Sequence, residues 1–108
     1  SKQNKVSCKP AVPVIAGVSS GNIKWEDFKS NTIFVDNDYE IKQFSIQYTS
    51  KSGDRTIVVK GNTISPEIIK ELEQVGMNQT IFISNIISAS HSNDLKHLLS
   101  MELNILFK

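Results

Sequence analysis

Residues 61–86 read GNTISPEIIKELEQVGMNQTIFISNI, a helix with both of its ends marked, running directly into a strand. Ser65 suits the N-cap, because its hydroxyl can accept from an unpaired amide of the first turn. Pro66 at the first helical position gives up an amide that has no partner there anyway, and Glu67 faces the positive end of the helix dipole. Ile64, just before the cap, is placed to pack on Ile69 as a hydrophobic staple. Ile68, Ile69, Leu72 and Val75 form one apolar stripe, with Lys70, Glu71, Glu73 and Gln74 read as pointing outward. Gly76 suits the left-handed closing residue, and Met77 is expected to fold back on Leu72. A helix this short is marginal alone, so its stripe must lie on something larger.

The rest of the chain supplies the sheet for it to lie on. TIFV (32–35) and FSIQYTS (44–50) are rich in β-branched and aromatic residues, and Phe44, Ile46 and Tyr48 alternate with Ser45, Gln47 and Thr49. DNDY (36–39) reads as a turn between them. KSGDR (51–55) reads as a hairpin loop leading into TIVVKG (56–61). After the helix come TIFISNIIS (80–88) and a polar loop at 88–94. The final strand carries Met101, Leu103, Ile105 and Phe107 on one side. NDLKHLL (93–99) allows a helical turn before it. Upstream, KPAVPVIAGVSSG (9–21) has prolines followed by glycines, which makes an extended segment and then turns. NIKWEDFKSN (22–31) sets Trp25 and Phe28 three apart, as one short helical turn over about 23–29 requires. The expectation is a mainly β, β-sandwich-like (Ig-like) domain of six or seven strands, with one amphipathic helix at 66–75. Residues 1–9 form an arm or edge strand, and 10–108 form a single domain.

Composition narrows the function. The chain has 108 residues, enough for one core without disulfide or metal staples. Twelve basic and eleven acidic residues leave a net charge of +1, with no basic stripe that would attract nucleic acid or an anionic membrane. No apolar run approaches the ~20 residues of a membrane-spanning helix. The polar start, SKQNKVSCKPAVPV, has no signal-peptide core and is read as belonging to a piece whose targeting segment has been removed.

Groups with chemical potential are few and dispersed. Cys8 is the sole cysteine, so it has no disulfide partner within the chain. With His91 or His97 as base it would make a nucleophile, but no motif supports that, and it is read as an idle thiol. His91, Asp94 and His97 share a loop without one-turn spacing or a fourth ligand, so a solvated loop is preferred to a metal site. DNDYE (36–40) lacks the glycine and distal glutamate of an EF-hand loop. Glu26 and Asp27 are adjacent and diverge, and Gly17 and Gly21 lack the context of a phosphate loop. NQT (78–80) matches a glycosylation acceptor by a pattern short enough to arise by chance. No enzyme motif, cofactor site or metal site is expected. Trp25, Phe28 and Phe34 would anchor a partner if exposed, though plugging the core is the commoner use of such residues. Taken with the two polar loops, the candidate partner-binding residues are Trp25, Phe28, Lys51, Asp54, Arg55, His91 and Asn93.

Three stretches, PVIAGVSSGNIKWEDFKS (13–30), YEIKQFSIQY (39–48) and the opening 61–86 block, together resemble the C-terminal domain of the gliding-motility protein GldM and its relative PorM. The likeness runs over residues 10–107. It departs at the last loop, where SASHSNDLKH has no glycine in place of a glycine-rich hairpin. The resemblance implies a non-enzymatic periplasmic scaffold of a Bacteroidota cell-envelope machine, serving type IX secretion and gliding motility. The parent protein would be tethered to the inner membrane through an often dimeric stalk, and its partners would be ring-forming proteins at the outer membrane. Two other classes compete. One is a small-ligand or glycan-binding β domain, with Trp25 and Tyr39 or Tyr48 lining a groove. The other is the sensor ectodomain of a membrane-bound peptidase or transducer.

Overall fold

A computed structural model of the chain describes residues 12–30, 32–35, 39–90, 92 and 94–107. The protein is mainly β, with eight strands in two sheets and two helices among these residues. In chain order they are β1 (Val14–Ile15), β2 (Gly21–Lys24), α1 (Trp25–Lys29), β3 (Ile33–Phe34), β4 (Tyr39–Ser50), β5 (Gly53–Lys60), α2 (Pro66–Val75), β6 (Gln79–Ser90), β7 (Leu95–His97) and β8 (Met101–Leu106). The large sheet has the order β2-β8-β6-β4-β5, with β7 joined to the far end of β6. All its pairings are antiparallel except β2 with β8. β1 and β3 form a separate two-stranded ribbon. The layering is sandwich-like, and the second layer combines that ribbon with α1 and α2.

One face of the large sheet carries the core. Phe44, Ile46 and Tyr48 from β4, Ile81 and Ile83 from β6, and Met101, Leu103 and Ile105 from β8 are all buried. Alternation alone would break this pattern at two places, where Ile41 and Phe44, and Ile83 and Ile86, stand three apart. The β4–β6 register shifts on both sides of Gln43, giving each strand one extra residue there. Asn85 takes up the bulge in β6 with φ 49°, a left-handed conformation that asparagine tolerates well. As a result Ile41, Phe44, Ile83 and Ile86 all reach the same core.

The capped helix forms over the span its signals mark. Ser65 Oγ accepts from the Ile68 amide at 3.4 Å, and Gly76, at φ 66°, donates its amide to the Leu72 carbonyl at 3.1 Å. α2 packs on β4 with Ile68 and Leu72 fully buried. Two details of the helix differ from the sequence reading. Met77 is 67% exposed and does not cover Leu72. Glu71 turns toward the sheet, for the reason given below.

Several boundaries also move, among them that of the hairpin loop, which narrows to Lys51 and Ser52 because residues 53–55 belong to β5. Residues 22–24 belong to β2, so the short helix begins at Trp25. β6 continues to Ser90, two residues past the expected strand end at 88. Leu95–His97, where a helical turn was allowed, is a strand paired with β6 through Ile87↔His97 and Ala89↔Leu95. Tyr39, at the end of the expected turn, opens β4; residues 36–38 of that turn lie outside the described residues, as does the expected N-terminal arm.

Candidate interaction surface

The aromatic candidates lie in the core. Trp25 and Phe28 are 6% and 0% exposed, and the indole stacks on Phe107 with ring centroids 4.6 Å apart and on Phe28 at 6.1 Å. They plug the β2–β8 end of the core and offer no contact surface, which corrects their place among the partner-binding candidates. Phe34, by contrast, is 54% exposed. The groove that a glycan-binding reading would draw from Trp25 and a strand tyrosine is not formed. Tyr48 is buried, and the half-buried Tyr39 ring has the Lys96 ammonium 5.2 Å from its centre.

The hairpin candidates do come together. Ser50 pairs with Gly53, leaving Lys51 and Ser52 as the two turn residues, and Gly53 takes φ 117°. Ser50 Oγ closes the tip, donating to the Gly53 carbonyl at 3.0 Å and accepting from the Ser52 amide at 3.1 Å. At the base of the tip Thr49 Oγ1 donates to Asp54 at 2.9 Å. Lys51 and Asp54 are exposed and Arg55 half-buried.

Arg55 connects the hairpin to the helix. Its Nη1 meets Glu71 Oε2 at 2.6 Å, while the Tyr48 hydroxyl donates to Glu71 Oε1. A carboxylate tucked between a helix and a sheet needs donors for its oxygens, and Tyr48 and Arg55, paired across β4 and β5, supply them. Burial, followed by the hydrogen bond and the negative charge of Glu71, pushes the Tyr48 hydroxyl up to about 12, against an opposing pull from Arg55. The charge of Glu71 argues for an outward position, which hides this cluster in the sequence. Its position carried the signal, since counting 68, 71, 72, 75 places Glu71 within the apolar stripe.

The face of the sheet opposite the core is polar and open. Thr80 Oγ1 donates to Asn104 Oδ1 at 2.7 Å, and Asn104 Nδ2 donates to Asn22 Oδ1 at 3.1 Å, tying β6, β8 and β2 together. Gln47, Tyr48, Thr49, Asp54, Thr80 and Phe82 line a shallow depression of about 170 Å³. Phe82 and Val58 on this face are 43% and 57% exposed.

β5 forms one edge of the sheet, and among the described residues no strand pairs with its far side. In an antiparallel pair alternate residues bond to the neighbour, and the others aim their amides and carbonyls away from it. The two-residue turn makes Ser50 and Gly53 a bonded pair, and Gly61 donates to the Lys42 carbonyl at 2.7 Å, so the odd-numbered residues face β4. The backbone groups of Asp54, Thr56, Val58 and Lys60 therefore face outward.

At the second polar loop, Ser90, Ser92 and Asp94 form a small hydrogen-bonded turn, and Ser90 donates its amide to the Asp94 carbonyl at 3.0 Å. His97 lies exposed in β7. His91, Asn93 and Cys8 lie outside the described residues. No family model matches the chain. No curated protein matches it either.

Proposed function

We propose that the domain is a non-enzymatic protein–protein interaction module: a periplasmic scaffold piece of a Bacteroidota cell-envelope machine, akin to the GldM/PorM C-terminal domain of type IX secretion and gliding motility. The observation that carries this reading is the outer edge of β5, where four residues present backbone donors and acceptors to solvent. Such an edge is complementary to one kind of object, another extended polypeptide, which binds by adding a strand. The near-neutral charge agrees, because nothing in it selects nucleic acid or an anionic membrane. The Arg55–Glu71–Tyr48 cluster holds the strand against α2, so the edge is presented as a rigid surface. The parent protein would be tethered to the inner membrane and meet ring-forming partners under the outer membrane.

The test is capture from a Bacteroidota envelope extract with the purified domain as bait, beside a Val58→Pro variant. Proline at 58 removes an outward amide and no bond to β4, as edge strands tolerate. Enrichment of outer-membrane-associated ring lipoproteins by the wild type, lost in Val58→Pro, supports the reading. Capture that Val58→Pro leaves unchanged, or no enrichment of such proteins, counts against it. The polar depression beside Phe82 favours a second reading, a small polar ligand or glycan on the open face; binding on a sugar array that Phe82→Ala removes would put it first.

A further inference from the structure

We infer that the strand added to the outer edge of β5 is β5 of a second copy of this chain, paired antiparallel about a two-fold axis at Ile57. This rests on reading the β5 edge as a surface that binds an extended polypeptide, and it assigns self-pairing to that edge in the free domain, a pairing that the strand of an envelope partner would displace. A closed dimer must bring the same patch of both copies together, so an antiparallel strand is tested by folding its own sequence back on itself. β5 reads GDRTIVVK over residues 53–60. With the axis at Ile57, each outward-facing residue meets another outward-facing residue, so both backbone bonds can be exchanged at every such pair. Asp54 then stands opposite Lys60 of the second copy, and Thr56 opposite Val58.

The side chains fit this register along the open face and at the axis. On the open face the two ends of the contact are Asp54–Lys60 pairs, one at each end by symmetry, and opposite charges directly across strands stabilise pairing. Between them lie two Thr56–Val58 pairs, β-branched on both sides, which would cover a valine now 57% exposed. On the other face the two Ile57 side chains meet at the axis. Ile57 is half-buried and already packs against the core, so the apolar layer would run from one copy into the next. Moving the axis by one residue costs these matches. At Thr56, Asp54 meets Val58 and Lys60 meets the turn residue Ser52; at Val58, Lys60 meets Thr56 and Asp54 meets Asn62. The register centred on Ile57 is the one that satisfies both charges.

Sedimentation velocity from about 1 µM to about 1 mM follows the dimer directly, over the affinity range of a contact this small. The wild type should pass from monomer to dimer with concentration. Asp54→Lys places two lysines opposite each other at both ends, and Lys60→Asp places two aspartates there. Each variant should weaken the dimer on the order of tenfold, since two cross-strand pairs change from attraction to repulsion. The double variant Asp54→Lys/Lys60→Asp should regain wild-type self-association. An equimolar mixture of the two single variants should form the mixed dimer, seen by native mass spectrometry. Circular dichroism checks that both exposed substitutions leave the fold intact. A wild type that stays monomeric overturns the inference, in which case Lys60 acts as a charge that keeps the edge unpaired. Single variants that dimerise like the wild type overturn the register. Neither result depends on capture of envelope proteins, so the two readings fail separately.

Discussion

The two faces of the large sheet come from the same strands and differ in almost every other respect. Along β4, Phe44, Ile46 and Tyr48 are buried beneath the helices and ribbon, while Gln47 and Thr49 lie in the open. Along β6, Ile81 and Ile83 are fully buried and Phe82 between them is 43% exposed. Polar residues on the covered face are tied into the Tyr48–Glu71–Arg55 cluster, and those on the open face bond mainly to their cross-strand neighbours. The covered face therefore carries the stability, and the open face with its β5 edge is free to change. Substitutions on the two faces should separate by size of effect.

The largest effect is expected beneath the helix. Leu72→Ala, at a fully buried position in α2, should lower unfolding free energy by about 3 kcal/mol in urea denaturation. A loss under about 1 kcal/mol would mean that α2 is not a wall of the core. Glu71→Ala comes next, at about 2 kcal/mol, because it leaves Tyr48 and Arg55 without their shared acceptor. If Glu71 were the exposed residue its charge suggests, the cost would be a few tenths of a kcal/mol. Gly76→Ala should cost about 1 kcal/mol, since φ 66° strains any residue with a Cβ.

Tyr48→Phe sharpens the comparison through pH. The folded-state hydroxyl titrates at about 12, above its ordinary value of 10.0, so the folded protein holds that proton more tightly than the unfolded chain. This contribution to stability is complete below pH 10 and is lost as pH rises toward 12. Wild-type stability should therefore fall more steeply over that window than that of Tyr48→Phe, which should itself cost about 1 kcal/mol at neutral pH. Parallel curves would place the hydroxyl in water. Phe82→Ser, on the open face, should change stability by less than about 0.5 kcal/mol while altering whatever binds there.

The chain order of elements could be read from residues that act locally. Ser65, Pro66 and Gly76 bound α2 because capping is settled within one helical turn, and KSGDR makes a hairpin because a two-residue turn constrains only its neighbours. The strand cores of β4, β6 and β8 showed in their alternation for the same reason. Two aromatics spaced for one helical turn favour burial of Trp25 and Phe28, but nothing local guarantees it. What only the tertiary structure decided depends on contacts between distant residues. Glu71 turns inward because Tyr48 and Arg55, on two other elements, wait for it. Leu95–His97 is a strand because β6 extends far enough to receive it. Asn85 bulges because Ile83 and Ile86 must enter one core, and runs such as Ile57-Val58-Val59 have no inner side until the sheet chooses one. The outward groups of β5 were likewise invisible in the sequence, because an edge exists only once the order of strands is set. Side-chain pattern is written into each segment, and the assignment of faces and edges belongs to the assembled sheet.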